Sequence, residues 1–243
     1  MSKNTTCLLL IIICCCLAPD ASAGASYTNH MELSESSIIF TVSEMYTNED
    51  ALAFREDIDT DDNGSIDASE VGEFRERYLS NGGAQFLEYV LVNNGSSQLV
   101  IDSIGMEFGS AEGPVDTSVL NVTTTIRYSM DPLASAGEHS IWVLGHPLID
   151  KMEFVLPKDM ELLSYDGLDN TSQSVDDGRV MLGGVSGIRS FTSEDRPAFE
   201  YAVLIKMQKE PFYTKSFVLP ILVIIEIILA SIALYIIKSN KNK

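Results

Sequence analysis

Apolar and polar positions along this chain fall into three patterns. Apolar runs stand at 7–18 and 217–237, and the stretch between them is mostly strand-like, interrupted once by helical spacing. Ser36–Ser43 (SSIIFTVS) is rich in β-branched residues and reads as a strand. Thr47-Asn-Glu-Asp50 has the form of a capping box and leads into ALAFREDI. ASEVGEFRERYLSNGG then reads as a second helix ending at Gly82–Gly83. Beyond it the spacing returns to strands. Phe86–Val92 and Gln98–Phe108 flank Asn93-Asn94-Gly95, which predicts a hairpin. Val119–Tyr128, Ser140–Leu144, Lys151–Leu156, Arg179–Leu182 and Ala198–Met207 continue the series, punctuated by Pro, Gly, Asp and Asn.

The end segments change the picture from a free domain to an exported one. Lys3 precedes a 12-residue apolar run, Cys7 to Ala18, and Ala21-Ser22-Ala23 follows as a small-x-small cleavage signal. A membrane helix needs ~20 apolar residues, so 1–23 reads as a secretory signal cleaved after Ala23 or Ala25. Phe217–Ile237 has 21 residues, about 30 Å of helix at ~1.5 Å per residue. Phe212 and Tyr213 stand at one rim, Tyr235 near the other, and Lys238, Lys241 and Lys243 follow. The expected layout is a signal at 1–23, an extracellular domain at 24–211, a single-pass transmembrane helix at 212–238 and a tail at 239–243.

Composition narrows the function further. All four cysteines, Cys7 and Cys14–Cys16, lie in the signal, so the mature chain has no disulfide, thiol nucleophile or cysteine-bound metal. Of 16 Lys and Arg and 35 Asp and Glu, 12 and 33 fall between the end segments, a balance of −21 with His neutral. Nucleic acid is excluded as a partner, because binding it rests on cationic contacts to phosphate. Such a balance suits divalent cations, a cationic partner or simply solubility in a salty medium.

Asp59–Glu70, DTDDNGSIDASE, is spaced for one. Counting Asp59 as position 1, Asp61 is 3, Asn63 is 5, Gly64 is 6, Ser65 is 7, Ile66 is 8, Asp67 is 9 and Glu70 is 12. Oxygen-bearing residues at alternate places let a loop wind around a hard cation. The stretch 48–80 resembles the EF-hand family. The resemblance implies side-chain oxygens from Asp59, Asp61 and Asn63, a backbone carbonyl from Ser65, and a direct or water-mediated contact from Asp67. It implies both oxygens from Glu70, a positive φ at Gly64 and a Ca²⁺ ion as cofactor. Arg55 and Arg75 depart from the family's apolar flanks, and no second loop is present to pair with this one.

The fold class expected is therefore α+β: a mainly antiparallel, sandwich-like β ectodomain with an inserted EF-hand helix–loop–helix and one C-terminal transmembrane helix. Glu226 sits near the middle of that helix, with Ala230 and Ala233 at i+4 and i+7, a stripe on which a partner helix could pack. Asn94, Asn121 and Asn170 head glycosylation triplets, and the acidic stretches at Asp166–Asn170 and Asp176–Gly178 read as hairpin loops. No serine lies in a G-x-S-x-G context and His30, His139 and His146 lack metal spacing. The expected function is thus non-enzymatic: a calcium-binding, membrane-anchored cell-surface protein with a binding or assembly role and a mainly structural ion. The alternative is an accessory or calcium-sensing subunit of a larger membrane complex, assembled through Glu226.

Overall fold

The structure, a computed structural model, describes residues 24–133, 137–193, 196–209, 220–221, 223–229 and 232. In chain order it has β1 (Ala25–Leu33), β2 (Ser37–Thr47), α1 (Asn48–Ile58), β3 (Ser65–Ile66), α2 (Ala68–Gly82), a 3₁₀ segment (Gly83–Glu88) and β4 (Val90–Val92). β5 (Leu99–Gly109), β6 (Gly113–Pro114), β7 (Val119–Met130), β8 (Gly137–Leu144) and β9 (Ile149–Val155) follow. β10 (Met160–Asp166), β11 (Leu168–Asp176), β12 (Arg179–Ser186), β13 (Ile188–Ser193) and β14 (Arg196–Lys209) complete the set.

Two sheets carry the fold. The first has the order β11-β12-β9-β1-β2-β7-β5, and the second β10-β14-β8-β4 with β13 added on β14. β1 and β9 run parallel, while every other ladder is antiparallel. Period-two patterning explains the pairing: β7 buries Leu120, Val122, Thr124, Ile126, Tyr128 and Met130 and turns its intervening residues outward. The main core lies between the sheets, with Met31, Phe40 and Ile126 of the first in one cluster with Ile141, Val203 and Ile205 of the second. A second, smaller core sits at one end of the first sheet. There Ala51 and Ile58 of α1 and Val71 and Phe74 of α2 pack on Met106, Leu120 and Val122.

The α+β class is corrected. The described chain is a mainly β fold, because period-two patterning runs through nearly all of it and helical spacing is confined to one excursion between β2 and β4. The C-terminal transmembrane helix is also absent from the corrected class. Among the described residues no helix is long and apolar enough to cross a membrane. The contiguous helical piece 223–229 covers only about 10 Å of a ~30 Å hydrocarbon core. The remainder of Phe217–Ile237, including Ala230 and Ala233, lies outside the described residues, as do the signal at 1–23 and the tail at 239–243.

Local expectations are corrected too. Beyond one isolated antiparallel bridge, Val92 to Ser97, the residues on either side of Asn93-Asn94-Gly95 form no hairpin ladder: β4 pairs with β8 in one sheet and β5 with β7 in the other, so the turn carries the chain between layers. Thr47 makes no side-chain cap on α1, its hydroxyl donating instead to the Gly24 carbonyl at 3.1 Å. The helices follow the second strand, since β1 precedes the strand expected first.

Candidate metal centre and a neighbouring cleft

Asp59 ends α1 and Asp67 begins α2, so the acidic loop is the connection between two helices. The turn closes on its own carboxylates. Asp59 accepts from the amides of Asn63 (3.3 Å) and Gly64 (2.8 Å), and Asp61 accepts from the Asn63 amide (3.1 Å) and the Asn63 Nδ2 (2.9 Å). Gly64 takes φ +80°, where a residue with a Cβ would be strained. Glu70 reaches back across the loop, accepting from Thr60 N at 2.8 Å and Asp67 N at 2.9 Å.

Three of the six residues that the sequence singles out converge. Ligand oxygens of Asp59, Asp61 and Glu70 lie within 4.8 Å of one another, and Asp59 and Glu70 are buried. Oxygens bound to one calcium ion at ~2.4 Å can be no more than about 4.8 Å apart, a limit that these three meet. No ion pair among the described residues involves them. Asp67 is not in this group. It caps α2 instead, accepting from Ser69 N (2.8 Å) and Glu70 N (3.0 Å), while Glu70 returns the capping-box bond to its amide. Asn63 Oδ1 accepts from Ser65 N at 2.8 Å, and Ser65 is exposed.

The loop is tied to the β fold at two places. Ser65 and Ile66 pair with Pro114 and Gly113, so a strand from the β5–β7 connection lies beside the loop. Arg55, fully buried, donates to the carbonyls of Ser110 (2.6 Å) and Pro114 (2.8 Å) in the same connection. Burial pushes its pKa below the usual guanidinium range, with Asp116 acting in the opposite direction. The apolar flank that Arg55 interrupts in the sequence is thus replaced by a hydrogen-bonded clamp. Behind it Phe54 packs on Tyr46 (5.0 Å between centroids) and Phe74 (5.5 Å).

A cleft of about 290 Å³ lies beside the main core, which gives it Phe40, Phe86 and Ile149. Tyr27, Asn29 and Glu44 line it from the first sheet, Tyr78 from α2, and Tyr89 and His146 from beyond the 3₁₀ segment and β8. Glu44 accepts a hydrogen bond from the Tyr46 hydroxyl. Burial raises its pKa above the ordinary carboxylate value of 4.5, that bond pulling it down less strongly. Burial also lowers His146 below 6.5, so its imidazole is neutral at pH 7. Sequence reasoning missed this cleft. Its signal was polar residues, Asn29 and Glu44, at inward places of alternating strands.

No family model and no curated protein matches the chain. Among solved structures, a crystal structure of AChBP from Bulinus truncatus is similar over 84% of this chain and 96% of that one, at 9% identity and a TM-score of 0.20. A likeness that slight bears on neither the site nor its chemistry.

Proposed function

We propose that the loop Asp59–Glu70 binds one calcium ion and that the ion fastens the two helices to the β sheets. The convergence of three carboxylates, two of them buried, without a cationic side chain carries this reading. Like charges brought together in a low dielectric repel, and a dication offsets that repulsion. Asn63, the Ser65 carbonyl, Asp67 through a water, and solvent would supply the remaining oxygens of a shell of about six to eight. The resemblance of 48–80 to an EF-hand supports the same reading. The paired strand at Gly113–Pro114 stands where a second loop would pair with this one.

The role is binding or assembly outside the cell, not catalysis, and the affinity expected is that of extracellular modules, Kd ~10⁻⁴ to 10⁻³ M. Export after cleavage at Ala23 agrees with the use of Gly24 and Ala25 in the fold, since the Gly24 carbonyl accepts from Thr47 and Ala25 pairs with Tyr46. Calorimetry on the full-length protein tests the ion site. Calcium should bind with a stoichiometry near one, and Glu70→Gln should weaken it about 100-fold by removing a charged, two-oxygen ligand. Equal calcium heats in the two proteins, or none in either, would overturn the reading.

A further inference from the structure

The inner face of the first sheet changes character along its length. Its successive rungs are Leu33–Ile38–Tyr128, then Met31–Phe40–Ile126, then Asn29–Val42–Thr124, then Tyr27–Glu44–Val122. The first two rungs close against the second sheet in the main core. The next two open into the cleft, and there the core face carries an amide and a carboxylate.

Asn29 lacks the hydrogen-bond partner its burial calls for, and half-buried Glu44 meets a tyrosine hydroxyl but no cationic side chain. Asn29 is only 6% exposed, and its Oδ1 has no hydrogen-bond partner. A buried acceptor left unpaired is costly, and few survive in folded proteins without a water, an ion or a ligand to meet them. Glu44 holds a carboxyl among rings, bonded by the hydroxyl of Tyr46, and no Lys or Arg lines the cleft. Phe40 and Phe86 join Tyr27, Tyr78 and Tyr89 in the wall, so the lining presents aromatic surface, a carboxylate and an amide oxygen. One carboxylate is too few hard oxygens for a divalent metal. Aromatic faces with a carboxylate instead match a cation that is large, weakly hydrated and partly apolar.

We propose that this cleft binds a small organic ammonium ion. Its charged head lies against Glu44 among the tyrosine rings, and a hydrogen-bond donor on the same molecule meets Asn29 Oδ1. Glu44 and Asn29 are diagonal neighbours across β2 and β1, a separation of roughly 7–8 Å that a short substituted ammonium spans. The volume of 290 Å³ stands at the low end of the ~300–1,000 Å³ typical of small-molecule sites. This assignment stands independently of the calcium reading, because none of Asp59, Asp61 and Glu70 lines the cleft.

The test is a calorimetric titration of the full-length protein with choline and with 3,3-dimethylbutan-1-ol, in which carbon replaces the charged nitrogen. Choline should bind at least about 10-fold more tightly than the neutral isostere. Glu44→Gln should lose about 10-fold or more of the choline affinity, and Asn29→Ala a few-fold. The comparison of the two probes on the unaltered protein needs no variant to fold. Equal binding of both probes would reduce the site to an apolar cleft and overturn the proposal. No choline heat, or choline binding untouched in Glu44→Gln, would overturn it as well.

Discussion

The acidic loop and the cleft are built in opposite ways. The loop draws its carboxylates from twelve consecutive residues, Asp59 to Glu70, and folds back on them through hydrogen bonds to its own amides. The cleft gathers its lining from Tyr27 to Ile149, across β1, β2, α2, the 3₁₀ segment and the connection after β8. A site written in consecutive residues carries its geometry in its spacing. A site assembled across a sheet carries it in register, which appears only once the strands have partners. The contrast is not complete, because the loop also depends on distant chain through Arg55 and the β3–β6 pair.

Replacing Arg55 breaks that dependence and should have the largest effect. Arg55→Met keeps the bulk of a buried side chain but removes both donors to Ser110 and Pro114. The Ser110 carbonyl then loses its donor while the Pro114 carbonyl keeps the amide and hydroxyl of Thr117, at about 1–3 kcal/mol in all. Urea unfolding should show a lower midpoint, and calcium affinity should fall with it. Unchanged calcium binding in a destabilised Arg55→Met would mean that the loop is autonomous after all.

Tyr128→Phe makes the corresponding cut on the cleft side. The Tyr128 hydroxyl donates to the Phe86 carbonyl at 2.7 Å within the main core, and burial raises its pKa. That bond holds the 3₁₀ segment, which carries Phe86 and leads to Tyr89, against β7. Losing it leaves the Phe86 carbonyl with the Tyr89 amide alone, at 3.3 Å, and should cost about 0.5–1.5 kcal/mol in denaturant unfolding. Choline affinity should fall while calcium affinity holds, the reverse of the order expected for Arg55→Met.

What the sequence made legible follows the same division. DTDDNGSIDASE pointed to Asp59, Asp61 and Glu70, which the structure brings together, because ligand spacing in a loop is a local property. Asp67, expected to act directly or through a water, caps α2 and lies outside the group of three carboxylates, since one short acidic side chain suits either task. The strands expected at 98–108, 119–128, 140–144 and 198–207 lie within β5, β7, β8 and β14 but for a residue at one edge, where β-branched residues alternate cleanly. β1 was missed because Asn29 and Tyr27 occupy inward places that apolar alternation would fill. β10 and β11 carry no strand signal in the sequence, where acidic Asp166–Asn170 and Asp176–Gly178 alone stand out as hairpin loops; Asp177 and Gly178, at φ +46° and +75°, do make the tight turn between β11 and β12. The transfer of the chain from β4 in one sheet to β5 in the other was illegible, because a turn signal fixes a reversal and not the partner on each side.

The two sites also meet, which sharpens the comparison. α2 begins beside the acidic loop at Asp67 and carries Tyr78 into the cleft wall. Removing calcium should loosen α2 and with it one aromatic face of the cleft. Choline affinity should drop severalfold in chelator, a coupling on the order of 1 kcal/mol, and choline should raise calcium affinity by the same factor. Titrations of each ligand at saturating and zero levels of the other check the reciprocity. Equal choline affinities with and without calcium would separate the sites entirely.

Acidity supplies the most specific effect. Glu44 faces Tyr46 on its own strand, Tyr27 from β1, Tyr78 from α2, Tyr89 from beyond the 3₁₀ segment and His146 from the β8–β9 connection. The tyrosines stay neutral across acidic pH, Tyr78 being pushed up to about 12. Burial raises Glu44, so between 4.5 and its folded value the folded protein keeps a proton that the unfolded chain has shed. Folding stability therefore falls as pH rises through that window, and an ammonium ligand, which favours the carboxylate, offsets the loss. Choline affinity should be flat above the folded pKa and decline below it by up to about tenfold per pH unit. His146, lowered from 6.5 by burial, acts with the same sign when it protonates, since a second cation in the cleft repels the first. Glu44→Gln should abolish the carboxyl part of the slope and leave the histidine part, which His146→Asn removes. Affinities measured across acidic buffers for both variants separate the two contributions, and an unaltered slope in Glu44→Gln would place the titrating group elsewhere.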